Sequence, residues 1–132
     1  MQLRIVAAVA AAGVIGAAGR WALAAGLDSD WALLIANIVG CSVVGWVTAR
    51  HERTRRSRRP AAAQTAPAPS PWLAAGFCGA LTSMSALALQ LAAYLDDGRV
   101  GTAVAWLGLT VVACTAAFVS GRSVATAQRG RP

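Results

Sequence analysis

The chain has 132 residues, 57% hydrophobic and only 13% charged, with a mean hydropathy of +0.56, a balance that excludes an ordinary soluble domain and points to an integral membrane protein. Its formal charge of +7 comes from twelve basic residues, all arginine, against five acidic ones. In a soluble chain that excess suggests nucleic acid; between apolar spans it is a topology signal, because short loops rich in Lys and Arg stay in the cytoplasm, so no nucleic-acid partner is expected.

A span needs about 20 mostly apolar residues, so four crossings and short loops nearly exhaust the length. The pattern predicts one all-α membrane domain over 1–132 with spans at about 3–25, 31–49, 72–94 and 101–121. The first stretch has the look of a signal peptide at Met1-Gln2-Leu3-Arg4. Its apolar run is longer than an h-region, however, and carries Gly13, Gly16, Gly19 and Arg20. Small residues three apart make a stripe suited to close helix packing in lipid, so a retained span is expected.

An acidic connection, Asp28-Ser29-Asp30, leads to Trp31 at the interface end of the second span. Asn37 is the one strongly polar residue near the middle of that span. Two readings stand open: a hydrogen bond between helices, or a contact to a ligand or ion. Residues 50–71 form the longest connection. Arginines come first, from Arg50 to Arg59, and then a Pro/Ala-rich run to Pro71 without apolar periodicity. The expectation is a cytoplasmic linker, disordered or extended, carrying no chemistry.

The third span contains G-F-C-G-A-L-T-S-M-S-A-L-A-L-Q from Gly76 to Gln90. Gly79 beside Thr82, Ser83 and Ser85 is a helix-breaking, hydroxyl-rich patch at membrane depth. Such backbone is tolerated only where it is buried in protein or lines a polar cavity, so this is the expected working part. A second acidic turn, Asp96-Asp97-Gly98-Arg99, precedes the fourth span, where Trp106 and Thr110 share a face. Thr110 has an ordinary alternative, a bond to its own i−4 carbonyl. The cysteines Cys41, Cys78 and Cys114 lie in spans with no CxxC pair and read as small apolar packing residues.

Arg4, the arginine block and the tail arginines fall on one side, and the aspartate turns on the other, with Arg99 the exception. A multi-pass protein of the cell membrane with both termini cytoplasmic is expected.

These residues resemble the CrcB/Fluc family of fluoride channels across all four spans. Gly13-Val14-Ile15-Gly16-Ala17-Ala18-Gly19-Arg20-Trp21 is similar to the family's GxxGAxxRY opening. Asn37-Ile38-Val39-Gly40 with Gly45 is similar to VNxxGxxxxG, and Gly76–Ser85 to GFCGGLTTFST. The resemblance implies two four-helix subunits packed antiparallel, each broken in the third helix, with two narrow pores at their interface. It implies passive fluoride efflux that lowers cytoplasmic toxicity. It also implies a structural, non-transported Na+ at the dimer centre, held by backbone carbonyls that here belong to Gly79 and Thr82. A small anion needs hydrogen-bond donors in place of its water; Asn37 offers an amide NH2 and Ser83, Ser85 and Thr110 offer hydroxyls. Arg20 either adds positive potential near a vestibule or is a structural, snorkelling arginine.

The chain departs from the family pattern along the expected ion pathway. Met84 and Leu87 stand where the family has two phenylalanines, Ser83 and Ala86 where it has threonines, and Trp106-xxx-Thr110 where it has Tyr-xxx-Ser. The strong charge bias predicts that nearly every copy inserts one way. An antiparallel dimer then calls for a paralogous subunit of opposite topology rather than a second copy. Two alternatives accompany this reading: a non-conducting subunit that completes its partner's pore, and a small multidrug transporter. The transporter needs an embedded carboxylate, whereas the one glutamate, Glu52, lies in the arginine block. No enzyme is expected, because the one histidine, His51, lies there too and no acid–base pair falls in a span.

Overall fold

Alanine, the best helix former, dominates the first apolar stretch, and no proline interrupts it before the Leu27-Asp28 turn. The result is α1 (Gln2–Gly26). Asp28 then accepts the Ala32 N–H at 2.9 Å and opens α2 (Ser29–Ser57). The computed structural model describes residues 2–57 and 72–127. The third span begins as a wide π-helical segment, Trp72–Cys78, that tightens into one α turn, Gly79–Leu81; together these form α3. After a break at Thr82-Ser83 comes α4 (Met84–Asp96), and α5 (Val100–Ala127) closes the fold. No strand occurs among the described residues. Four helical stretches, with α3 and α4 counted as one, are long and apolar enough to cross a membrane.

The helices outlast the apolar stretches that predicted them. The clearest difference is α2, which continues through Arg50 to Ser57, so the first eight residues of the expected linker 50–71 are helical. Arginine and glutamate are good helix formers, and a helix already nucleated in the membrane extends at little cost beyond it. Residues 58–71 lie outside the described residues.

The helix α2 is the centre of the subunit, with half of its spanning window buried against 11–17% for the other three. It runs parallel to α5 along its length. At one end Trp31 meets Trp106 edge to face, ring centroids 5.2 Å apart at 72°. In the middle a Cβ at Gly45 would collide with the Phe118 backbone, and one at Gly121 with the Ser42 backbone. At the other end Arg122 forms a two-pronged ion pair with Glu52, at 3.1 and 2.9 Å. Across the subunit, α1 and α3 approach as closely. Gly16 lies against the Phe77 carbonyl and Gly76 against the Val9 carbonyl, with no room for a side chain at either position. Such contacts are how helices associate where lipid offers no hydrophobic drive.

The turn after α4 is closed by Gly98, at φ +71°, with Gly98 N–H bonding Leu95 O at 3.0 Å and Arg99 N–H bonding Tyr94 O at 2.7 Å. Only glycine takes that left-handed backbone without strain, which fixes where α4 ends.

Candidate functional site: the broken third span

The helix stops at Leu81 because the next two residues are extended, Thr82 at φ −81°, ψ 154° and Ser83 at φ −153°, ψ 109°. Each end of the break is satisfied by a specific group. The Thr82 hydroxyl folds back to donate to the Cys78 carbonyl at 2.9 Å, and its methyl lies against Gly40, whose missing side chain makes the space. Ser83 then caps α4, its hydroxyl accepting the Ala86 N–H at 3.1 Å. The Ser83 N–H donates across to α2, to the carboxamide oxygen of Asn37 at 3.0 Å. Asn37 is buried, at 5% exposure. Both sequence readings of Asn37 therefore keep their ground. Its oxygen makes the bond between helices, and its NH2 makes no hydrogen bond among the described residues.

These three bonds have a consequence for the carbonyls before the break. In a continuous helix Gly79 O would accept from Ser83 N–H and Thr82 O from Ala86 N–H. The first of those donors is taken by Asn37 and the second by the Ser83 hydroxyl. The Gly79 and Thr82 carbonyls are left without backbone partners among the described residues. Gly79 itself is exposed, with nothing within 4 Å of the place a side chain would occupy.

The donors cluster on the other side of the break. The Ser83 and Ser85 hydroxyls are 3.2 Å apart, beside the N-terminus of α4, whose first N–H groups and dipole favour negative charge. Both serines line an open groove of about 860 Å³ between α1, α2 and α4. Arg20 and Trp21 from α1 line the same groove, with Asp30, Gln90 and Tyr94 further along it. Arg20 is half-buried and has no ion pair among the described residues.

The other expected pathway residues are not gathered there. Met84 is 74% exposed and Leu87 is 3% exposed, facing into the subunit. Trp106 is held against Trp31 on the α2–α5 seam. Thr110 is buried, but its hydroxyl bonds no carbonyl among the described residues, unlike Thr48 and Thr115, which bond their own helices at 2.8 and 2.7 Å. Sequence reasoning did not single out Gln90, Asp30 or Tyr94. Tyr94 donates its hydroxyl to the Asp30 carboxylate under the guanidinium of Arg99, 4.8 Å from the ring. The amide nitrogen of Gln90 is buried with no hydrogen-bond partner among the described residues. The signal for Gln90 lay in its type, an amide one turn or so beyond the serines in an otherwise apolar helix.

Residues 7–122 match the model of the family described as "CrcB-like protein, Camphor Resistance (CrcB)". The chain belongs to the CrcB family. The match takes in every residue of the break and of the groove. Among relatives, the "Fluoride-specific ion channel FluC" of Stutzerimonas stutzeri is 32% identical over 130 residues, covering 94% of this chain and 98% of the relative. The protein of the same name from Pseudomonas fluorescens is 28% identical over 120 residues, 83% and 87% of the two chains. A "Fluoride-specific ion channel FluC 1" from Mycobacterium bovis is 32% identical over 108 residues, 78% and 76%. With four spans and this kinship, the chain is a multi-pass membrane protein.

Proposed function

We propose that this chain is a subunit of a fluoride-conducting channel, not an enzyme, and that it gives passive fluoride efflux. The relatives' name supplies the ion. The observation that carries the reading to these residues is the Asn37–Ser83 bond at 3.0 Å, which uses the acceptor of the amide and leaves its two donors. Fluoride holds water tightly, and a desolvating path must replace that shell with N–H and O–H groups. Asn37, Ser83, Ser85, Thr110 and the first N–H groups of α4 are such donors, and Arg20 raises the potential of the groove for an anion. Met84 and Leu87 leave the apolar part of the path without aromatic rings.

The same break supports a bound Na+. Backbone oxygens suit a hard cation, and Gly79 and Thr82 are the residues whose carbonyls lose their helical donors to Asn37 and Ser83. The Gly79 and Thr82 carbonyls would hold the ion, which would supply a positive partner for lone pairs that lack an N–H, and the open side of Gly79 would leave room for a second subunit to add oxygens. That subunit is proposed to be a paralogue inserted the other way. All four aspartates, at positions 28, 30, 96 and 97, stand in the two turns at one end. At the other end stand Arg4, the arginine block and Arg122. Such bias orients one chain a single way, with its termini in the cytoplasm.

The test is fluoride release from liposomes, read with a fluoride electrode, for the chain alone and with a partner of reversed charge bias. Efflux is expected from the pair and to be lost with Asn37→Asp, which keeps the acceptor for Ser83 and removes the donors. Efflux unchanged by that substitution overturns the pathway. A stable, conducting dimer of this chain alone overturns the paralogue.

A further inference from the structure

A second groove, of about 450 Å³, runs from the middle of the α2–α5 seam toward its arginine end, lined by Ser42, Val43, Trp46, Ser120, Gly121 and Val124. Along it Gly121 packs its backbone directly on that of Ser42, with no room for a side chain between them. The walls are largely apolar. At the mouth the guanidinium of Arg50 lies 4.4 Å above the Trp46 ring. Trp46 followed one turn later by arginine is the arrangement expected where a helix crosses the headgroup layer.

The charge at this mouth is positive however its arginines are paired. Among the described residues α2 brings Arg50 and Arg53 to this end, and Arg122 adds a third arginine from α5. Among the described residues the one carboxylate near them is Glu52, the chain's single glutamate, which Arg122 holds by both oxygens, so a single negative charge stands against three positive ones. Ser120 adds a polar group on the groove wall. Three other hydroxyls of α5, those of Thr115, Ser123 and Thr126, bond carbonyls of their own helix, while that of Ser120 bonds none among the described residues.

We propose that this groove binds an anionic phospholipid, with an acyl chain between α2 and α5 and the phosphate at Arg50 beside the Trp46 ring. The apolar walls select a chain, and the excess of arginine at the mouth selects a negative headgroup. The site lies at the opposite end of α2 from the Asp30–Tyr94 contact, so it is separate from the fluoride groove. Its occupancy would couple the α2–α5 seam to membrane composition.

Native mass spectrometry of the purified chain with added phosphatidylglycerol or phosphatidylcholine tests this. Phosphatidylglycerol should be retained over phosphatidylcholine, and Arg50→Gln should weaken that retention about fivefold. Ser120→Leu, which fills the groove and keeps every charge, should weaken retention of the lipid as well. Arg99→Gln, at the far end, should leave it unchanged. Equal retention of both lipids overturns the site. So does loss with Arg99→Gln matching that with Arg50→Gln, which would mean diffuse attraction. Should Ser120→Leu fail to fold, quenching of tryptophan fluorescence by brominated phosphatidylglycerol replaces it. A quenched component that disappears in Trp46→Phe supports the groove, and quenching unchanged by Trp46→Phe overturns it.

Discussion

Asn37 divides one side chain between structure and transport. Its oxygen holds the Ser83 N–H, and removing it would strand a part-buried backbone donor. Asn37→Ala should cost about 1–3 kcal/mol and abolish fluoride efflux together. Asn37→Asp should keep the break and abolish efflux alone, a contrast readable from melting temperature and flux on the same preparations. Ser83→Ala removes the cap on Ala86 N–H and should cost about 1 kcal/mol, seen as earlier melting in detergent. At this scale the sequence was legible for residue type and not for partner. An amide in mid-span announces a polar contact, but which atom it spends on the protein depends on how α2 crosses the break. Met84 and Leu87, three apart, share a helical face on paper. They differ in exposure because Met84 opens α4 at the break, where nothing covers it, while Leu87 lies one turn deeper against the subunit. The Tyr94–Asp30 contact, between residues 64 apart, left no local trace at all.

Two kinds of helix glycine stand at opposite extremes. At Gly16, Gly45 and Gly121 an added Cβ would strike the backbone of a neighbouring helix, which cannot move aside as a side chain can. Alanine at any of the three should loosen the packing by about 1–3 kcal/mol. At Gly108 the added carbon would meet nothing within 4 Å, so Gly108→Ala should be neutral or stabilising, alanine being the better helix former. Thermal unfolding of the four variants checks the division. The stripe Gly13-Gly16-Gly19 was legible as a packing face, and the break at Thr82-Ser83 as a break, because both are written in residue types a span otherwise avoids. The π-helical start of α3 and the continuation of α2 through the arginines were not. The first lies where Gly76 packs on the Val9 backbone, a contact between helices that local residue types do not record. The second follows because charge ends the membrane and does not end the helix.

For the molecule as a whole, charge segregation sets orientation. Reporter fusions should place both ends of the chain on the cytoplasmic side in nearly every copy. Replacing Arg53, Arg55, Arg56, Arg58 and Arg59 with glutamine should produce a mixed population. A single orientation that survives those changes would show that something other than the block decides it. All four spans were legible from hydropathy, since crossing a bilayer fixes both length and composition. Their mutual arrangement was not, because parallel α2 and α5 meet through contacts that no periodicity encodes.

The length of that parallel pair has a further consequence. At 29 and 28 residues, α2 and α5 each measure about 42–44 Å, against about 30 Å of hydrocarbon. Paired near their far ends by Glu52 and Arg122, they are long enough to stand out of the arginine side of a membrane as a two-helix post, while the aspartate side ends in short turns. The subunit thus has a top and a bottom that differ in outline. In a projection image of any assembly, the post is a built-in arrow. Two posts on opposite faces would mark antiparallel copies of this chain, two on one face parallel copies, and one alone a mate of different build.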